Sequence, residues 1–214
     1  MQHRTDNFHL DYTQDSIFVS DDKYCSLYEN MGNGLFSDQS YASGIAMAAG
    51  QFVGWSSSFI DYNNDGKVDI FKTNGALKHL YGQEDQLFEN IGNGKFKDVS
   101  TESGKYFLNK LVGRGACFGD YDNDGDMDAC IVILNDHVVY LRNNKGNQNN
   151  WRTLNLIGTE SHRDGIGSRV KLTTGGKDQT STNKSKTDYL SQNDTPTHVG
   201  LAQSEMVDRI RTMW

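Results

Sequence analysis

One ten-residue pattern occurs twice in the chain. Leu27-Tyr28-Glu29-Asn30-Met31-Gly32-Asn33-Gly34-Leu35-Phe36 returns, sixty positions later, as Leu87-Phe88-Glu89-Asn90-Ile91-Gly92-Asn93-Gly94-Lys95-Phe96. The alternating apolar positions have the period of a strand, and the Asn-Gly step supplies the positive φ angles of a tight hairpin. A second element repeats almost in step: Phe59-Ile60-Asp61-Tyr62-Asn63-Asn64-Asp65-Gly66-Lys67-Val68-Asp69-Ile70-Phe71 recurs, offset by 59, as Phe118-Gly119-Asp120-Tyr121-Asp122-Asn123-Asp124-Gly125-Asp126-Met127-Asp128-Ala129-Cys130. Two unrelated elements sharing one period mark a structural repeat built from strands and turns.

Composition agrees. The chain has 22 Asp against 6 Glu, 22 Gly and a single Pro in 214 residues. Glu suits solvated helix faces, whereas Asp competes with the backbone and favours turns and metal loops. Helical bundles and coiled coils are excluded, and an all-β fold is expected.

The repeat region is read as residues 1–150, with a degenerate copy over 1–53 and repeats over about 54–112 and 113–150. In the degenerate copy Asp11-Tyr12 and Ile17-Phe18-Val19 precede the first hairpin. At the other end Tyr140-Leu141-Arg142-Asn143-Asn144 starts a third hairpin that dissolves into the Asn-rich stretch 145–150, taken as a domain boundary. Net charge changes there, from −9 over residues 1–150 to +2 over residues 151–214, and neither part resembles a polyanion binder. No nucleic-acid partner is expected. No apolar run approaches the roughly 20 residues that span a bilayer, and Met1-Gln2-His3-Arg4 opens no signal peptide.

The acidic loops follow the spacing Asp-x-Asn/Asp-x-Asp-Gly-x-x-Asp, which suits a hard cation. Ca²⁺ takes six to eight oxygens at about 2.3–2.6 Å. Positions 1, 3 and 5 point inward as the chain winds round the ion, Gly at position 6 allows the bend, position 7 offers its carbonyl and position 9 closes the shell. The ligands predicted for loop 1 are Asp61, Asn63, Asp65, the carbonyl of Lys67, and Asp69. For loop 2 they are Asp120, Asp122, Asp124, the carbonyl of Asp126, and Asp128. An EF-hand would have Glu at position 12 and flanking helices, yet Lys72 and Ile131 stand there and both flanks read as strands. Carboxylates about 4 Å apart repel by roughly 4 kcal/mol at an effective dielectric near 20. Loop 2, with four Asp ligands against three in loop 1, is therefore expected to bind Ca²⁺ more tightly.

These loops resemble the FG-GAP or VCBS-type repeats of calcium-binding β-propellers. The tail resembles the ASPIC/UnbV domain of the cartilage acidic protein family, through Gly158-Thr159, Arg163-Asp164-Gly165-Ile166-Gly167-Ser168-Arg169-Val170, Tyr189-Leu190-Ser191-Gln192-Asn193-Asp194, His198-Val199-Gly200-Leu201, Val207-Asp208 and Trp214. The resemblance implies partial β-propeller-type repeats, antiparallel blades with calcium loops, followed by a small β-rich domain over 151–214. It also implies a secreted or extracellular protein that binds a protein or glycan. A propeller of about seven blades closes on itself and removes its sheet edges. Two loops and part of a third do not, which implies a fragment, a homo-oligomer or a divergent fold. Lys177–Thr187 is polar where the family pattern calls for a regular strand.

Other candidates are fewer. A hairpin through loop 2 would set Cys117 opposite Cys130, as a disulfide or as two small thiols. Asn183-Lys184-Ser185 and Asn193-Asp194-Thr195 are glycosylation sequons. His162, Arg163 and Asp164 with Ser191, Gln192, Asn193, Asp194 and His198 form either a polar cluster usable by an enzyme or a set of loop-fixing hydrogen bonds. No nucleophile-elbow sequence surrounds Ser191. Trp55, Trp151 and Trp214 are expected to pack in the core or between blades rather than to form a ligand platform.

The preferred function is a non-enzymatic module with two structural Ca²⁺ sites, serving extracellular adhesion or ligand binding. The alternatives are an enzyme or accessory protein of a biosynthetic pathway, and a subunit of an assembly.

Overall fold

The computed structural model describes residues 8–10, 15–18, 25–31, 34–76, 81–160, 162–184, 186 and 188–214. Asp11-Tyr12, Val19, Gly32-Asn33, Ser185 and Thr187 lie outside the described residues. The chain is all-β, with 44% strand, 8% helix, several antiparallel sheets and no closed barrel among the described residues. No helix among them is long and apolar enough to cross a membrane.

Sheet 1 is an antiparallel meander of β1 (Phe8–Leu10), β2 (Asp15–Phe18), β3 (Ser26–Asn30) and β4 (Phe36–Asp38). A single helical turn, α1 (Ile45–Ala49), follows and buries Ile45, Ala46 and Ala49. Sheet 2 repeats the meander with β5 (Gly54–Ile60), β6 (Asp69–Asn74), β7 (Gln86–Gly92) and β8 (Lys95–Asp98). The sixty-residue sequence offset is preserved in register: Tyr28 faces Asp38 as Phe88 faces Asp98, and Asn30 faces Phe36 as Asn90 faces Phe96. Each hairpin ends in the same brace. Asp38 and Asp98 accept the N–H of Ser40 and Ser100, at 2.9 and 3.0 Å. Those serine hydroxyls accept the N–H of Leu27 and Leu87, at 3.0 and 2.8 Å.

Sheet 3 has three strands, β9 (Gly113–Gly119), β10 (Asp128–Ile133) and β11 (Val139–Leu141), with no fourth strand outside β11 among the described residues. Its first hairpin keeps the 59-residue offset, since Gly119 faces Asp128 as Ile60 faces Asp69.

Period-two alternation divides β6 between two cores. Ile70 packs with Cys25, Leu27, Ile45, Ala49 and Phe88 against sheet 1. Phe71 packs with Phe107, Phe118, Ala116 and Ile131 against sheet 3, its ring centroid 5.3 Å from that of Phe118 in an edge-on arrangement. All six residues of β6 are buried as a result. Replacing Phe71 with Ala would cost about 3–5 kcal/mol through lost burial and the cavity left behind.

The last third of the chain forms two small sheets. β12 (Asn150–Leu154) pairs with β15 (Thr197–Ala202), and β13 (Arg169–Thr174) lies between β14 (Lys177–Thr182) and β16 (Arg209–Met213). The polar stretch after Lys177 begins as a strand, contrary to its composition, because a two-residue turn at Gly175-Gly176 sets Thr174 opposite Lys177 and zips the ladder back to Arg169 opposite Thr182. The apolar centre here is small: Leu172, Val199 and Leu201, with Leu154 and Val207 against them.

Candidate metal centres

The two acidic loops fold alike. In loop 1 the Asp61 carboxylate accepts the N–H groups of Asp65 and Gly66, at 3.1 and 2.9 Å. In loop 2 Asp120 accepts those of Asp124 and Gly125, both at 3.0 Å. Position 4 is left-handed in each, Asn64 at φ 57° and Asn123 at φ 58°. The asparagine type at both positions follows from that conformation.

The carboxylates at position 9, Asp69 and Asp128, also take part in backbone hydrogen bonds. Asp69 is fully buried and accepts the N–H of Asn90 at 2.7 Å and of Tyr62 at 3.4 Å. Asp128 accepts the N–H of Asn143 at 2.8 Å, of Tyr121 at 3.3 Å and the hydroxyl of Tyr140 at 2.7 Å. These carboxylates tie each loop to the next strand of its sheet. The oxygens that converge are those of positions 1, 3 and 5: in loop 2 one oxygen from each of Asp120, Asp122 and Asp124 lies within 4.8 Å of the others. Three hard anionic oxygens within that span are a donor set for Ca²⁺ or a similar hard cation. In loop 1 position 3 is Asn63, whose side-chain oxygen accepts the N–H of Asp65 at 3.0 Å.

A basic side chain sits on each loop. Lys67 Nζ is 2.5 Å from Asp65, and Arg142 Nη2 is 2.7 Å from Asp122 and 3.2 Å from Asp124. At position 7 of loop 2 the Asp126 side chain is itself buried, with Oδ2 accepting the N–H of Gly146 at 3.2 Å and Oδ1 without a partner among the described residues. Burial raises several of these carboxyls: Asp61 to about 7, Asp69 to about 8 and Asp126 to about 7. Asp120 moves the same way, also through burial. Asp124, bonded to Asp126 and Arg142, is held below the usual carboxylate range. Without a counter-charge the loops hold more protons than free carboxylates would.

The surroundings of the loops differ. Residues 121–123 of loop 2 are exposed, whereas Asn64 of loop 1 is fully buried. β15 lies over loop 1, and at Gly200 any Cβ would collide with Asp61 and the Asn64 backbone. Trp151 lies over loop 2, where a Cβ on Gly125 would enter its ring, and the same indole stacks on His198 with centroids 5.7 Å apart. The Asn-rich stretch read as a boundary, together with Asn143 before it, bridges the loops: the Asn143 amide donates to the Tyr62 carbonyl at 2.7 Å, Asn149 to the Asn63 carbonyl at 2.9 Å, and Asn147 to the Asp124 carbonyl at 3.3 Å.

The other candidates serve the docking of the tail. Asp188 is buried and grips β5, accepting the hydroxyls of Ser56 and Ser58 and the N–H of Ser57. The Ser191 hydroxyl donates to the Tyr189 carbonyl at 2.9 Å. The Phe118 N–H donates to Asn193 at 3.0 Å, and the Asp194 N–H to the Phe118 carbonyl at 3.0 Å. His198 Nε2 is bonded to Asn64 at 2.7 Å, while His162, Arg163 and Asp164 are exposed. Ser191 and His198 are thus committed to partners other than each other. Asn183 is buried and donates to the Asp164 carbonyl at 2.7 Å, so that sequon is closed in the folded chain. Cys117 and Cys130 face each other in register yet are free thiols, the Cys117 sulfur lying 3.7 Å from the Cys130 carbonyl. Of the tryptophans, Trp55 is half-buried and packs edge-on against Tyr189, whereas Trp214 is 61% exposed, outside any core. Between loop 1 and the tail lies a polar cleft of about 170 Å³ lined by Ser58, Asp61, Asn183, Asp194, Thr197 and His198 among others.

Residues 158–214 match the ASPIC and UnbV family model. That match covers the segment holding β13 to β16 and the Tyr189–Asp194 run that docks on β5 and β9. Comparison with curated proteins gives no match.

Proposed function

We propose that the chain is a calcium-binding module in which the cation is structural. The observation that carries this reading is the convergence of Asp120, Asp122 and Asp124, with oxygens within 4.8 Å of one another, in a loop whose backbone bonds recur 59 residues earlier. A cation held by the folded loops and not by the unfolded chain stabilises the fold by mass action. Asp120, Asp122 and Asp124 would hold it in loop 2, and Asp61, Asn63 and Asp65 in loop 1, with the carbonyls of Asp126 and Lys67 available. The melting temperature is expected to rise by several degrees in millimolar CaCl₂ and to fall back with chelator. A melting temperature indifferent to both would sink the proposal.

The finer reading is an extracellular adhesion or ligand-binding role. Its support is the ASPIC and UnbV match together with the polar cleft beside loop 1, whose hydroxyl, amide and carboxylate lining suits a glycan or a polar peptide. A glycan array read with and without calcium tests it. A second reading, a homo-oligomer, is favoured by β11, which has no strand on its outer side among the described residues and carries the exposed Tyr140 next to the exposed Val138. Sedimentation at several concentrations distinguishes a monomer from a pair.

A further inference from the structure

We propose that Asn64, which is not itself among the ligand positions, is the positioning residue that couples the two acidic loops, so that filling one strengthens binding at the other. The inference rests on the calcium reading above and adds to it how the two sites act together.

Every polar function of this side chain is committed, and each bond reaches a different part of the molecule. The amide nitrogen donates to the Gly125 carbonyl at 2.7 Å and the Gly146 carbonyl at 3.0 Å. The amide oxygen faces His198 Nε2 at 2.7 Å. With both N–H groups directed at carbonyls, that oxygen can only accept, so Nε2 is the protonated nitrogen of the imidazole. The main-chain carbonyl of Asn64 accepts the N–H of Ala202 at 2.9 Å. One fully buried residue thus joins loop 1 to loop 2, to the Asn-rich bridge and to β15.

The backbone alone does not call for this network. Asn123, at the same position of loop 2 and the same left-handed φ, is exposed to solvent. A left-handed turn accounts for an asparagine at both positions, but only in loop 1 does the side chain reach across the molecule.

The contacts also fall where they can transmit binding. Asn64 stands between Asn63 and Asp65, so a cation that draws those two inward fixes it from both sides. Gly125 stands between Asp124 and Asp126, and its carbonyl belongs to the peptide unit whose N–H donates to Asp124 at 3.2 Å. Holding that carbonyl orients the peptide plane within loop 2. Gly146 adds a parallel route, since its N–H donates to Asp126 while its carbonyl accepts from Asn64. Ordering one loop therefore pre-orders part of the other, and the coupling must be reciprocal.

The test is a calcium titration of the full chain by calorimetry, with CaCl₂ as the only ligand. Disabling loop 1 by Asp61→Asn with Asp65→Asn is expected to weaken binding at loop 2 by about fivefold or more, the lower end of ordinary coupling. In an Asn64→Gly background, where glycine keeps the left-handed φ but removes the amide, the same lesion should leave loop 2 unchanged. Equal loop 2 affinity with and without loop 1 in the native background overturns the coupling and leaves the calcium reading intact. No heat of binding at either loop overturns both. Should Asn64→Gly fail to fold, hydrogen exchange on a chain with loop 2 disabled by Asp122→Asn and Asp124→Asn decides the matter. Calcium at loop 1 should then slow exchange around Gly125, Gly146 and Ala202, and protection confined to loop 1 overturns the proposal.

Discussion

Loops 1 and 2 are nearly the same nine residues with the same backbone bonds, yet they occupy opposite situations. Loop 1 lies beneath β15, with Asn64 fully buried and Asp61 packed against Gly200. Loop 2 has its tip, residues 121–123, in solvent, and its carboxylates are met by Arg142. The local pattern sets how a loop winds, whereas its neighbours set what its charges cost. The carboxyl count that ranks loop 2 as the tighter site is therefore one of two opposing influences, because Arg142 pairs with two of the loop 2 carboxylates, Asp122 and Asp124, whereas Lys67 pairs with Asp65 alone.

The largest expected difference is in stability without metal. Asp61→Ala removes two backbone hydrogen bonds to a carboxylate and opens a gap under β15, and should cost about 2–4 kcal/mol in chelator. Asp120→Ala removes the same two bonds at a more exposed loop and should cost about 1–2 kcal/mol. Urea denaturation of both variants checks this, and equal losses would mean that burial under β15 contributes nothing.

Next comes pH. Asp61, Asp69 and Asp126 have folded values near 7 to 8, far above their unfolded ones, so between these limits the native state holds more protons and stability falls as pH rises. His198 is lowered to about 4 by burial and acts in the opposite direction, but only below its unfolded value of 6.5. Lys72, lowered to about 8 by burial, adds stability only as pH rises above that. In chelator the melting temperature should therefore decline from pH 6.5 to about 8 and level off above that, where the Cys25 thiol, pushed up to about 11 by burial, offsets Lys72. Calcium should flatten the decline, and Asp61→Asn with Asp69→Asn should reduce it. A profile that climbs through neutrality in chelator would show that the loops do not govern it.

The smallest effect concerns the exposed ion pairs, which solvent screens. Arg142→Gln should tighten calcium binding at loop 2 by at most about fivefold, and Asp122→Asn should weaken it. If Asp122→Asn leaves the order of the two affinities unchanged, the carboxyl count does not rank the sites.

Much of this arrangement is legible in the amino-acid order alone. The hairpins at 27–36 and 87–96 and the two acidic loops read directly because their signals are local: alternation, Asn-Gly turns and Asp-x-Asp spacing. The Asp-x-Ser braces, Asp38 with Ser40 and Asp98 with Ser100, also repeat at sixty residues and are open to the same reading. Other features have no local signature. Asp69 and Asp128 are ligand candidates by spacing, and only the tertiary structure adds that they also brace the loops through the N–H groups of Asn90 and Asn143. The run 145–150 reads as a domain boundary because it is polar, although the amides of Asn147 and Asn149 satisfy the loop carbonyls of Asp124 and Asn63, far away in the chain.

The sequence by itself determined the repeat, the all-β class, the place of the hairpins and the composition of the two loops. Each depends on interactions within a few residues, where backbone sterics and side-chain period leave few choices. Tertiary structure decided that the tail's Asp188 would grip Ser56, Ser57 and Ser58, that Trp151 would cover Gly125, and that Asn64 and not Asn123 would be buried. Those outcomes depend on which surfaces meet when the sheets pack, and two loops of nearly identical sequence acquire different electrostatics because only one of them is covered.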